Sequence, residues 1–363
     1  MILRTQKIEL NPNNKQSTLM SKHAGYARVA YNFALSSFKA GLNAGDGRNY
    51  IDIKREFNAV KYDKFDWCKE LSQNASKNAI HNLGDAITRW RKGQNSFPVY
   101  KNRSGKCSYQ ADNGEGTIDV HKRRIKLPKI GWVRMREELR YSGEITKVVI
   151  SKYNNKWFTS ITVRRLDSSN YQHQPTIFDD KEPIGIDVGI NTLATCSNGD
   201  TYDNPRPLQR YLRKLARANR RLSRRQKGSQ NWYKAKKLLS SVHYRIANIR
   251  EDAHHQATIR IVRKASAIGI ETLNISGMLK NRKIAKALSD AALGGFLTKL
   301  KYKADRRRIP IIQADRFFAS SKTCSNCGHK KADLTLSDRT YHCSECGYEI
   351  DRDLNAAINL CPA

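Results

Sequence analysis

Three carboxylates and four thiols could carry chemistry in this sequence. Asp187 lies in the apolar run Gly185-Ile186-Asp187-Val188-Gly189-Ile190, between two glycines. The pattern predicts a buried strand projecting one acid, with Gly189 letting another group come close to the backbone. A lone buried carboxylate is costly unless it is paired or binds a metal. Two further acids have apolar surroundings. Glu271 ends the strand pattern Ile268-Gly269-Ile270, and Asp353 opens the helix pattern Asp353-Leu354-Asn355-Ala356-Ala357-Ile358. The helix dipole favours an acid in the first turn. Acids converging from separate elements repel each other, and divalent cations remove that penalty. Mg2+ prefers carboxylate oxygens. Two such ions roughly 4 Å apart can stabilise the attacking and leaving oxygens of an in-line phosphodiester hydrolysis. Spacing alone fits three unrelated acids as well, each capped or salt-bridged.

Cys324-x-x-Cys327 and Cys343-x-x-Cys346 have the spacing of a closed tetrahedral site. Four thiolates hold Zn2+ structurally, fix a loop too small for its own core, and leave no open position for catalysis. His329 and His342 flank these cysteines and are read as bystanders. Cys68, Cys107, Cys196 and Cys361 are scattered, which fits a reducing compartment better than a disulfide framework. His254 and His255 are adjacent on a helical pattern and so face different directions, which argues against a shared metal or base role.

The surrounding elements must position these groups in a chain of 363 residues with a formal net charge of +34. Such charge is tolerable when a polyanion neutralises it, and nucleic acid is the obvious one. No apolar run reaches the roughly 18 residues of a membrane span, and the N-terminus lacks a signal-peptide core. The expectation is a soluble cytoplasmic, nucleoid-associated protein of a prokaryotic cell. Residues 204–250 contain no Asp or Glu but many Arg and Lys, among them Arg213, Arg217, Arg220, Arg221 and Arg224. This stretch reads as a helical hairpin lying along a phosphate backbone.

Residues 1–10 alternate as a strand, and 17–42 and 71–92 have helical spacing, with Trp90 read as core packing. On the second helix Gln73 and Lys77 share a face. They offer groups able to read base edges, although a plain solvent face explains them too. Short strands are predicted at 117–120, 124–127, 146–151 and 157–164. They form a barrel-like module that the first strand joins. Residues 166–180 read as a polar linker. From Ile184 the order is strand, hairpin, long helices, strand and helices, with a basic helix at 293–308 and a strand at 310–314.

Gly185-Ile186-Asp187-Val188-Gly189-Ile190, Ile270-Glu271-Thr272-Leu273-Asn274, the two cysteine pairs and Arg352-Asp353-Leu354-Asn355-Ala356-Ala357-Ile358-Asn359 resemble the TnpB family. These are RNA-guided nucleases of insertion sequences, related to type V CRISPR effectors. The N-terminal half resembles them more loosely, in segments such as Tyr31-Asn32-Phe33. The resemblance implies an α/β plus β architecture. A RuvC-like (RNase H) nuclease domain at 181–318 and 349–363 would carry a zinc-ribbon insert at 319–348. A split β-barrel wedge domain at 1–16 and 93–180 would precede it, with a helical recognition lobe inserted at 17–92. Asp187, Glu271 and Asp353 would be the first, second and third ligands of two catalytic Mg2+ ions, with Asp351 the rival for the third role. The cysteine insert would load substrate, and Gln73 and Lys77 would contact a short DNA motif.

The implied partners are a guide RNA and target double-stranded DNA, bound by a monomer. The implied reaction is guided cleavage of target DNA. Three alternatives remain at this point: a guided repressor that does not cut, which the intact acids disfavour; a guide-independent transposase; and a plain zinc-containing nucleic-acid-binding module.

Overall fold

Alternating side chains make Ile2–Asn11 a strand, β1, that buries Ile8 and Leu10. The computed structural model describes residues 2–103, 105–113, 116–165, 181–331, 333–335 and 338–362. Two units result, Met1–Gln172 and His173–Ala363. The expected linker, 166–180, lies outside the described residues.

In the first unit, Asn13 and Gln16 form a reciprocal capping box that starts helix α1 (Asn14–Asn43). Helix α2 (Tyr50–Lys64), a 3-10 turn at Asp66–Glu70 and helix α3 (Gln73–Arg91) follow. Six strands complete the unit: β2 (Cys107–Asp112), β3 (Asp119–His121), β4 (Arg124–Leu127), β5 (Gly131–Met135), β6 (Glu144–Tyr153) and β7 (Lys156–Arg165). They join β1 in one antiparallel sheet of order β2-β6-β7-β1-β5-β4-β3. The first strand therefore sits in mid-sheet, and no ladder joins the end strands β2 and β3 among the described residues. Tyr26 and Leu35 of α1, Ile80 and Leu83 of α3, and Val148, Ile150 and Ile161 of the sheet belong to one buried cluster. The inserted helices thus share the core of the sheet. Trp90 packs edge-on against Phe97 at 4.9 Å, as a core-facing residue should.

The second unit begins with β8 (Ile184–Asp187), β9 (Thr192–Cys196) and β10 (Thr201–Asp203), an antiparallel meander. Helices α4 (Pro207–Ser223) and α5 (Gln230–Lys264) lead to β11 (Ile268–Ile270). Helices α6 (Ile275–Met278), α7 (Arg282–Ala291) and α8 (Leu293–Arg306) lead to β12 (Ile311–Gln313). The sheet order is β10-β9-β8-β11-β12, with β8, β11 and β12 parallel. A small hairpin, β13 (Thr340–His342) and β14 (Glu349–Asp351), precedes α9 (Arg352–Asn359).

The close approach expected at Gly189 is present, within its own hairpin. A Cβ there would meet only the hairpin's own backbone, the Thr192 carbonyl oxygen, at 2.9 Å. The close approach of another element occurs at Gly185 and Gly269, which pair in register across β8 and β11. A Cβ on Gly185 would lie 1.9 Å from the Ala357 carbonyl oxygen, and one on Gly269 would lie 1.7 Å from that of Leu360. The two glycines make a flat patch on which the C-terminal end of α9 rests.

Candidate active site

The parallel register places the first two acids. Ile186 pairs with Ile270, so Asp187 and Glu271, the next residues of neighbouring strands, leave the sheet at one carboxyl edge. Ligand crevices of α/β sheets open at that edge. The glycine patch fixes how closely α9 lies against the strands, and α9 brings Asp353 to the same place in its first turn. Asp187 feels the other two carboxylates. Burial, then the charges of Glu271 and Asp353, push the Asp187 carboxyl from an ordinary 3.8 up to about 7, while Arg352 pulls it down. All three acids are half-buried. Half-buried oxygen donors with surplus negative charge fit a hard divalent cation. Among the described residues, only the four cysteines bring three or more ligand atoms within 4.8 Å of one another, so the carboxylates converge less tightly than the thiols.

Two of the three acids have a side-chain support. Arg352 Nη2 lies 3.2 Å from Asp353 Oδ1. The buried Ser320 hydroxyl donates to Glu271 Oε1. Asp351 is exposed, and its Oδ1 accepts the N–H groups of Asp353 at 2.9 Å and Leu354 at 3.0 Å. Its carboxylate is therefore the cap of α9. Asn355, fully buried, donates to the Thr323 carbonyl at 2.7 Å and accepts from the Ser325 N–H at 2.9 Å. One turn on, Asn359 donates to the carbonyls of Ser320 and Thr323 at 2.9 and 2.6 Å. Ser320, Arg352, Asn355 and Asn359 carry no expected role from the sequence. Only the spacing of the two asparagines, four apart on one helix face, could have signalled theirs.

The cysteines form a closed set. Cys324 and Cys346 sulfurs lie 3.8 Å apart, and those of Cys327 and Cys343 lie 3.6 Å apart. Zinc–sulfur bonds of ~2.3 Å in a tetrahedron put sulfurs about 3.8 Å apart, so the four thiols are compatible with a structural zinc ion. Gly328 at φ +77° and Gly347 at φ +68° provide the left-handed turn after each pair. An N–H from Asn326, then one from the Tyr348 backbone, lower the Cys346 thiol, while, against the pull of the His329 N–H, the neighbouring sulfurs raise that of Cys327. His329 and His342 stay outside the set.

The acid-free stretch folds as the expected hairpin. Leu215 and Ala218 of α4 pack on Leu239, Val242 and Ile246 of α5. Arg217, Arg220, Arg221, Arg224 and Arg225 line a cleft of about 420 Å3, and Arg213 is exposed on α4. Buried Asp290 orients this hairpin. Its carboxylate accepts the N–H groups of Leu208 and Gln209 at the start of α4 and meets Arg250 Nη2 of α5 at 3.1 Å. In the first unit, Gln73 Oε1 is engaged by the Tyr26 hydroxyl at 3.1 Å and Lys61 Nζ at 2.9 Å. Lys77 is exposed, 3.8 Å from Asp112. His254 is buried against Phe296 and its Nε2 meets the Ala291 carbonyl at 3.0 Å, while His255 is exposed.

Three family models match the chain: "Probable transposase" over residues 168–282, "Cas12f1-like, TNB domain" over 294–360, and "Helix-turn-helix domain" over 1–45. Over 1–45 the chain folds as β1 and the single helix α1. A relative from Streptomyces pristinaespiralis named "Putative RNA-guided DNA endonuclease" is 30% identical, over 100% of this chain and 89% of that protein. A protein of Escherichia coli (strain K12) with the same name and the suffix InsQ is 27% identical, over 99% of this chain and 92% of its own. Among solved structures, the "Cryo-EM structure of the Cas12f1-sgRNA-target DNA complex" aligns over 99% of both chains at 15% identity, with a TM-score of 0.38.

Proposed function

This chain belongs to the TnpB family of RNA-guided DNA endonucleases, and on that premise we propose that it cuts target DNA at Asp187, Glu271 and Asp353, directed by a bound guide RNA beside a short DNA motif. The observation that carries this reading is the β8–β11 register, which sets Asp187 and Glu271 at one sheet edge, with Asp353 near enough to act on Asp187. Asp187 is raised to about 7 by burial and by the other two carboxylates. Such a cluster is unfavourable alone and favourable around cations. Two Mg2+ ions, when bound, supply the charge that stabilises the attacking and leaving oxygens of phosphodiester hydrolysis.

The chain's own residues hold and orient. Ser320 fixes one oxygen of Glu271, and Arg352 fixes one of Asp353. Asp351 is committed to its helix cap, which favours Asp353 as the third ligand. The mixed sheet β10-β9-β8-β11-β12 supports a RuvC-like (RNase H) reading of the second unit, and the four cysteines hold structural zinc. The arginine cleft on α4 grips backbone phosphates, while base pairing to the guide reads the sequence. The first unit serves as wedge and recognition lobe. The protein works as a monomer with its RNA in a prokaryotic cytoplasm, associated with the nucleoid. No described helix is long and apolar enough to cross a membrane. The test is cleavage of a target plasmid by the protein with its guide RNA in Mg2+. Asp187→Ala abolishes cutting and leaves target binding intact, whereas cutting that survives this substitution refutes the assignment.

A further inference from the structure

Two phenylalanines stand in solvent beside the acid cluster. Phe317 is 86% exposed and Phe318 43% exposed. Single exposed apolar residues are ordinary, whereas two consecutive rings on one turn make a small apolar face. The turn is firmly held. Asp315 Oδ1 accepts the Phe317 N–H at 2.8 Å, and the Asp315 carbonyl accepts the Phe318 N–H at 3.1 Å.

Both ends of the turn are tied around Glu271. Upstream, the Ala314 N–H donates to the Ile270 carbonyl at 2.9 Å, and the Ala314 carbonyl accepts the Thr272 hydroxyl at 2.7 Å. Downstream, Ser320 donates to Glu271 itself, and its carbonyl accepts from Asn359 at 2.9 Å. The rings are thus mounted on a short loop that straddles an acid of the cutting site. Three residues from Phe317 to Ser320 reach at most about 11 Å, or roughly three stacked nucleotides at ~3.4 Å each.

The chemistry around the rings selects the occupant. The Arg316 guanidinium lies 5.8 Å from the Phe317 ring centroid. A flat apolar face beside a cation matches a base and its phosphate. The chain's formal net charge of +34 favours a polyanion over a protein partner. Rings on a rigid support lose little conformational freedom when a base stacks on them.

We propose that Phe317 and Phe318 form a stacking platform for a single-stranded segment of the DNA strand being cut, within about three nucleotides of the scissile phosphate. This inference rests on the nuclease reading above. The platform acts by positioning: the rings hold unpaired bases so that the backbone enters the acid cluster in one register.

The test uses the full chain with its guide RNA and compares wild type, Phe317→Ala/Phe318→Ala and Phe317→Trp/Phe318→Trp. Single-turnover cleavage and target binding are measured separately. In an Asp187→Ala background, 2-aminopurine placed one to four nucleotides from the cut reports stacking by its quenching. The alanine pair slows cleavage roughly 5- to 150-fold per stacked base and abolishes the quenching, with target binding within about twofold of wild type. The tryptophan pair keeps the rate. Wild-type cleavage with an equally fast alanine pair overturns the platform alone. So does a parallel loss of target binding, or a change in oligomeric state on removing the rings. A wild-type protein that does not cut overturns the nuclease reading instead.

Discussion

Replacing Asp187 by asparagine measures how much unfavourable charge the acid cluster carries without a cation. The Asp187 carboxyl rises from 3.8 to about 7 on folding. Below pH 3.8 the folded and unfolded chains both hold this proton. From 3.8 to about 7 the folded chain keeps a proton that the unfolded chain has released. Stability therefore falls as pH rises through that window, and the whole penalty stands above 7. At ~1.4 kcal/mol per pH decade, the full penalty is at most about 4 kcal/mol, of which roughly 2 kcal/mol accumulates between pH 5.5 and 7.

Asparagine has the same shape and no titrating proton. The stability advantage of Asp187→Asn over wild type should therefore grow by about 2 kcal/mol between pH 5.5 and pH 8. Urea unfolding at both values, in buffer without Mg2+, gives this difference of differences. Adding Mg2+ at pH 8 should stabilise wild type and leave Asp187→Asn nearly unchanged. A gap that stays constant with pH, or narrows as pH rises, refutes the view that burial and its two acidic neighbours together raise the Asp187 carboxyl.

Gly185→Ala drives a methyl group into the Ala357 carbonyl, so helix α9 must shift; unfolding should show a loss of about 3 kcal/mol or more, with cleavage falling alongside. Asp290→Ala uncaps α4 and leaves Arg250 half-buried without this partner, which should lower stability by roughly 3 kcal/mol in the same unfolding experiment. Arg220→Ala/Arg221→Ala should weaken binding equally to matched and mismatched targets, and should reduce the slope of log K against log salt by about 2; an unchanged slope would remove these two side chains from the phosphate contacts.

The chemistry of this protein was more legible than its assembly. Asp187, Glu271, Asp353 and the cysteine pairs stand out because a buried acid or paired thiols need a reason to exist. Their convergence follows only from the family resemblance; the residue pattern alone does not carry it, since it depends on β8 and β11 pairing in parallel at one register. Nor does the pattern carry the use of Gly185 and Gly269, which becomes visible only once α9 lies on them. Helix α2 escaped notice because only Ile53 and Phe57 are buried along it, too few to set a period. Strands β2 and β5 are short and carry polar or charged residues between their buried positions. Gln73 has internal partners that helix spacing does not reveal. A polar residue on a helix face suggested an outside partner, yet Tyr26 and Lys61 occupy it from within.

Helix α9 presents Asp353 from its first turn while Asn355 and Asn359 grasp the backbone that leads into the first cysteine pair. The proposed third acid and the cysteine loop are thereby mechanically ganged. If the four thiols hold zinc as proposed, its loss would loosen the footing of Asp353. An engineer exchanging the cysteine module between relatives would have to transplant the last helix with it, because the two behave as a single graft.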